Sequence, residues 1–131
     1  MLRPVIPSHD ADAAALWVDS RVRTESLLQQ AALALLSGVL VGIPWLSPEL
    51  YATAWFGWVP LLFALRHASL RVAFFCGWLT GTVCFAIASY WMLDFVAHLD
   101  TFSVPLTTLL SISFWVYAGL SLGFGCLVFR W

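Results

Sequence analysis

Of 131 residues, 62% are hydrophobic and 10% are charged, whereas soluble domains run to about 45–50% and about 25%. A domain this small buries too little of its chain to hide that much apolar surface, which excludes a free soluble fold and leaves lipid as the solvent. The formal net charge of −1 provides neither a nucleic-acid footprint nor a polybasic lipid patch.

Residues 1–25 are polar, with Pro4, Pro7 and Asp10, and lack the apolar run that a secretory signal needs. They read as a polar cytoplasmic segment, disordered at its extreme end. Residues 10–28 form a candidate interfacial helix with Leu16, Trp17, Val18 and Val22 partly buried. The remainder, residues 26–131, reads as an all-α membrane domain of about four segments: 26–48, 50–65, 72–93 and 105–129. The first is expected to be an uncleaved anchor.

The first segment carries Gln29 and Gln30 near its start and Pro44 near its end. The second covers 16 residues, about 24 Å as a helix, with Pro60 inside it. That proline cannot donate to the Phe56 carbonyl, so a kink is expected, and in lipid the freed carbonyl needs another partner. Two short spans fit, and so does a hairpin that dips in and returns. The third segment, about 33 Å long, matches a hydrocarbon core of about 30 Å. The fourth is the apolar part of an uncharged stretch over 101–129. It is long enough to span with tilt, and Pro105 falls in its first turn, where a missing N–H costs nothing.

Charge placement orients these segments. Arg3, Arg21 and Arg23 precede the first, Arg66 and Arg71 lie between the second and third, and Arg130 follows the fourth. There is no lysine. The other two connections hold only acids, Glu49 in one and Asp94 and Asp100 in the other. Positive residues collect on the cytoplasmic side of polytopic proteins. The N-terminus, the 66–71 loop and Arg130 are therefore expected inside, and Glu49 and the 94–100 loop outside.

Glycines recur four apart at Gly38 and Gly42, Gly77 and Gly81, and Gly119 and Gly123, with Ala34 and Ala73 extending the first two stripes. Such strips let helices approach closely. They serve either dimerisation or packing within the bundle, and the second is expected because three such helices can serve each other. Trp45, Trp55 and Trp58 surround the first acidic connection, and Tyr90 and Trp91 precede the second. They read as an interfacial aromatic belt, with a substrate-facing wall as the alternative.

Reactive groups are sparse. Cys76, Cys84 and Cys126 all lie in apolar stretches and read as small hydrophobes of the membrane core. Cys76 and Cys84 are about 12 Å apart along one helix, too far for a disulfide. Asp94, His98 and Asp100 could hold a metal or shuttle a proton, but a metal site needs three or four supported ligands, so polar capping at the membrane edge is the expected role. His67 belongs to a solvated loop and His9 to the polar tail. The third and fourth segments lack the intramembrane charge that carriers and pumps keep on their pathways. No nucleophile–base pair, phosphate loop or Cys/His metal spacing is present. Catalytic, cofactor and metal residues are accordingly assigned as none.

The order of features nevertheless resembles a known family. Leu33-Ala34-Leu35-Leu36-Ser37-Gly38 is followed by a proline-containing turn, then by Trp58-Val59-Pro60-Leu61-Leu62-Phe63-Ala64-Leu65-Arg66. Ala73-Phe74-Phe75-Cys76-Gly77-Trp78-Leu79-Thr80-Gly81, Ser89-Tyr90-Trp91 and a Tyr117-containing helix complete the series over about residues 31–129. This resembles the N-terminal membrane region of bacterial apolipoprotein N-acyltransferase. The resemblance implies eight membrane helices around an extracytoplasmic nitrilase-like domain in the inner membrane. It also implies transfer of an acyl chain from a phospholipid to the α-amino group of a diacylated N-terminal cysteine, through a thioester formed by a Glu-Lys-Cys triad. A glycine pair expected near Thr101-Phe102-Ser103 is missing. With no lysine, no member of the triad carries over, and this chain alone is expected to be inactive. The partners implied are membrane lipids, an apolipoprotein substrate and a nitrilase-like domain on another chain, with no nucleic acid. The alternative is a small non-enzymatic membrane scaffold that assembles through its glycine faces.

Overall fold

The computed structural model describes the backbone of residues 9–98 and 103–131, and the side chains from Ser26 onward except those of Val96 and Ala97. Asp100 and the expected glycine-pair position at 101–102 lie outside the described residues. Among the described residues six α-helices follow in order: α1 (His9–Gly42), α2 (Tyr51–Phe56), α3 (Trp58–Leu65), α4 (Leu70–Ala88), α5 (Met92–Ala97) and α6 (Val104–Arg130). Among the described residues there is no strand. The fold is an all-α bundle, and the stretches Ser26–Trp45, Leu70–Ala88 and Val104–Arg130 are long and apolar enough to cross a membrane.

The first boundary differs from the expectation. Helix α1 runs unbroken from His9 through Ser26 to Gly42, so the change from polar to apolar composition at residue 26 is not a change of backbone conformation. Residues 9–25 contain neither proline nor glycine, and nothing local stops a helix there. Pro44 does end it, within a 3-10 turn over Ile43–Trp45.

The second stretch is broken as Pro60 predicts, and the break falls at Gly57 between α2 and α3. Both pieces return alongside α1. Thr53 donates to the Leu40 carbonyl at 3.1 Å, and Ser37 donates to the Gly57 carbonyl at 2.5 Å. A Cβ at Gly57 would lie 2.8 Å from Val41 Cγ2 and 3.0 Å from the Val41 nitrogen, so only glycine lets the break sit this close to α1. Ser37→Val is expected to lower stability by about 1 kcal/mol, the usual scale of an interhelical hydrogen bond in lipid. Detergent titration followed by circular dichroism would check this, and an unchanged midpoint would remove Ser37 as a support of the break.

Helices α1 and α4 are parallel. Thr80 donates to the Ala34 carbonyl at 2.9 Å, and the Cys76 thiol lies 3.9 Å from the Gln30 carbonyl. A Cβ at Gly42 would meet Ile87 at 2.9 Å, so the register holds from Gln30 to Gly42 of α1. Ser69 caps the start of α4 by accepting from the Val72 nitrogen at 3.5 Å. The helix stops at Ala88, short of the expected residue 93. There Ser89 Oγ donates to the Phe85 carbonyl at 2.6 Å and accepts from Trp115 Nε1 at 3.0 Å. Helix α6 begins with Pro105 in its first turn, as expected, and runs back antiparallel to α4.

Candidate functional site

The best-defined interior feature is the seam between α4 and α6. Gly119, Gly123 and Cys126 on the buried side of α6 meet Phe74, Gly77, Trp78, Gly81 and Thr82 of α4. Small residues at these spacings bring the two backbones together. A Cβ at Gly81 would lie 2.9 Å from both the Cα and the carbonyl oxygen of Gly119, and one at Gly77 would lie 2.8 Å from the Leu122 carbonyl. Phe74 covers Gly123 and stacks edge-on with Phe124 at 5.4 Å. Trp78 Nε1 donates to the Val116 carbonyl at 2.9 Å. Gly38 faces the Thr80 carbonyl and Val83. All three glycine stripes are thus spent inside the bundle, on one another or on α1–α4 packing. The faces that a scaffold would need for assembly through glycine are occupied.

The thiols belong to the same packing. Cys76 and Cys126 are buried and Cys84 is half-buried. Cys126 lies over Gly77, and the polar neighbour of Cys76 is a backbone carbonyl. A carbonyl accepts a hydrogen bond but does not take up a proton, so this contact generates no thiolate nucleophile.

The two ends of the bundle differ in chemistry. Glu49 lies in the 3-10 turn before α2, and Asp94 in the first turn of α5, both on the side where α1 and α4 end. His98 Nδ1–H donates to the Asp94 carbonyl at 2.7 Å, which caps α5. Among the described residues no three His, Cys, Asp or Glu side chains come close enough to hold a metal. Trp45, Trp55, Trp58, Tyr90 and Trp91 are all exposed on or toward this end. Trp91 stacks edge-on with Phe95 at 6.0 Å.

The opposite end gathers arginines from distant parts of the chain. Arg130 Nε donates to the Ala68 carbonyl at 3.0 Å, tying the end of α6 to the loop that holds Arg66 and His67. Arg71 lines a groove with Leu27 and Ala31 of α1, so the start of the apolar part of α1 is at this end too. A second groove of about 460 Å³ is lined by Leu62, Phe63, Leu65, Arg66, Phe129 and Arg130. No charge pattern in the sequence places Arg66 beside Arg130. Only the antiparallel return of α6 does so.

The family model for the apolipoprotein N-acyltransferase N-terminal domain matches residues 37–131, almost three quarters of the chain. An apolipoprotein N-acyltransferase of Geobacter metallireducens is 38% identical over 60 residues, which make up 46% of this chain and 12% of that protein. The matched part therefore spans only a small share of the relative's length. No solved structure matches this chain.

Proposed function

Because this chain belongs to the apolipoprotein N-acyltransferase N-terminal domain family, we propose that it is the membrane-embedded part of an enzyme of bacterial lipoprotein maturation. In this reading it lies in the cytoplasmic membrane and crosses it four times, with the broken α2–α3 unit as the second crossing. Its N-terminus, the 66–71 loop and Arg130 face the cytoplasm. Residues 1–25 form the cytoplasmic segment and residues 26–131 the membrane domain.

The observation that carries the reading is the family match over residues 37–131, which hold the α4–α6 seam and Gly38 and Gly42 of the α1–α4 contact. The reaction assigned to the whole enzyme moves an acyl group from a phospholipid onto a cysteine thiolate, releasing a lysophospholipid. It then moves from that thioester to the free amine of a diacylated cysteine. These 131 residues contribute lipid-facing helices and an aromatic edge on the outer side, where donor and acceptor acyl chains are held. The thioester belongs to a nitrilase-like domain, carried elsewhere on a longer chain or on a second chain. These residues have no lysine for the triad, and the polar neighbour of the Cys76 thiol is a backbone carbonyl.

Purified chain in phospholipid with a diacylated peptide is expected to give no mass increase for a third acyl group, and adding a nitrilase-like domain is expected to restore it. Formation of the triacylated product by this chain alone, lost on replacing Cys76, Cys84 or Cys126, would overturn the division of labour.

A further inference from the structure

The groove between the ends of α3 and α6 combines two kinds of surface. Leu62, Phe63, Leu65 and Phe129 supply apolar walls, and Arg66 and Arg130 supply two cations. Leu62, Phe63 and Phe129 are exposed, so the walls continue into the outer surface of the bundle. One edge of Arg130 is held by its bond to the Ala68 carbonyl, which leaves its terminal nitrogens to meet an acceptor. The described acidic side chains, Glu49 and Asp94, belong to the other end. Arg66 and Arg130 are separated by 64 positions in the chain (130 minus 66), so no basic run announces the pair.

We propose that this groove is a binding site for an anionic phospholipid, with the phosphate between Arg66 and Arg130 and an acyl chain along Leu62, Phe63 and Phe129. Basic pockets between membrane helices on the cytoplasmic side take anionic headgroups, because guanidinium and phosphate pair at headgroup depth and the field falls off within a Debye length. A lipid fits better than free phosphate, since four of the six lining residues are apolar and offer a soluble anion nothing. The occupant is a resident lipid at the arginine-bearing end, opposite the aromatic edge assigned to acyl transfer. The inference depends on the bundle spanning a bilayer and does not depend on the acyl-transfer reading.

The test reconstitutes the full chain in phosphatidylcholine vesicles containing a small fraction of spin-labelled phosphatidylglycerol or, in parallel, spin-labelled phosphatidylcholine. The motionally restricted fraction in the electron spin resonance spectrum reports relative affinity. The wild type is expected to prefer phosphatidylglycerol. Arg66→Gln should reduce that preference roughly fivefold, and Arg66→Gln with Arg130→Gln roughly 25-fold, following the usual contribution of a surface arginine to anionic lipid binding. Arg71→Gln, in a different groove, should leave most of it. The Arg66 side chain donates no hydrogen bond among the described residues, its backbone N–H alone donating to the Phe63 carbonyl, so its variant carries the test even where Arg130→Gln loosens α6. An unchanged preference in Arg66→Gln overturns the site. Equal losses from Arg71→Gln and Arg66→Gln overturn it in favour of a diffuse positive field. Displacement of the labelled lipid by inorganic phosphate overturns the lipid as occupant.

Discussion

Gly81→Leu is expected to dismantle the bundle, while Gly125→Leu on the same pair of helices is expected to be harmless. A side chain at Gly81 starts 2.9 Å from the Cα and carbonyl oxygen of Gly119 and 3.0 Å from Leu122 Cβ. The first two are backbone atoms and cannot rotate aside. The clash is relieved only if α4 and α6 separate, which would break the Trp78–Val116 bond and the Trp115–Ser89 bond along the same seam. Overpacking a closed interior costs about 1–3 kcal/mol, and a whole leucine at a backbone-to-backbone contact belongs at or above the upper end. A Cβ at Gly125 meets nothing within 4 Å. There the change removes a glycine from a helix interior and gains about 0.5–1 kcal/mol. The two variants share the residue type and the added volume, so the difference between them isolates the contact. Denaturing-detergent titration followed by tryptophan fluorescence should separate their midpoints widely. Coincident midpoints would mean that the α4–α6 seam is not closed at Gly81.

The second large effect is all-or-none. On a background in which Cys76, Cys84 and Cys126 are replaced by alanine, His67→Cys should resist a membrane-impermeant maleimide added to intact cells, and Glu49→Cys should react fully. Both positions are exposed, so access to the reagent depends on the side of the membrane. The expectation combines two independent facts. Arg66, Arg71 and Arg130 gather at one end of the bundle, and the positive-rich end of a polytopic protein stays in the cytoplasm. The parallel register of α1 and α4 requires α2 and α3 to carry the chain back to that end. Labelling at 67 and not at 49 would invert the bundle. Labelling at both would mean that α2 and α3 never bring the chain back across.

Much of this was readable along the chain because hydropathy and charge act locally. The cost of placing a stretch in lipid is a sum over its own residues, so the segments read at 26–48, 72–93 and 105–129 overlap the three apolar helices at 26–45, 70–88 and 104–130 without reference to any neighbour. Pro60 and Pro105 announce a break and a helix start for the same reason, since ring geometry and the missing N–H belong to the residue itself. The absence of lysine was equally plain.

What depended on register between remote helices was not readable. Gly77 and Gly81 form a flat strip in any context, but that strip is filled by Gly119, Leu122 and Cys126 only because α6 returns antiparallel at one particular offset. The bond of Ser37 to Gly57 requires α3 to lie along α1, and α4 stops at Ala88, next to the Ser89 that Trp115 reaches from α6. The unbroken α1 belongs here as well, because composition changes at residue 26 while the backbone hydrogen-bond ladder does not. The sequence by itself determined which stretches are apolar enough to enter lipid and which connections are positive, through energies summed residue by residue. The tertiary structure alone decided which faces meet and that Arg66 and Arg130 share one groove, because those depend on close contacts between segments far apart in the chain.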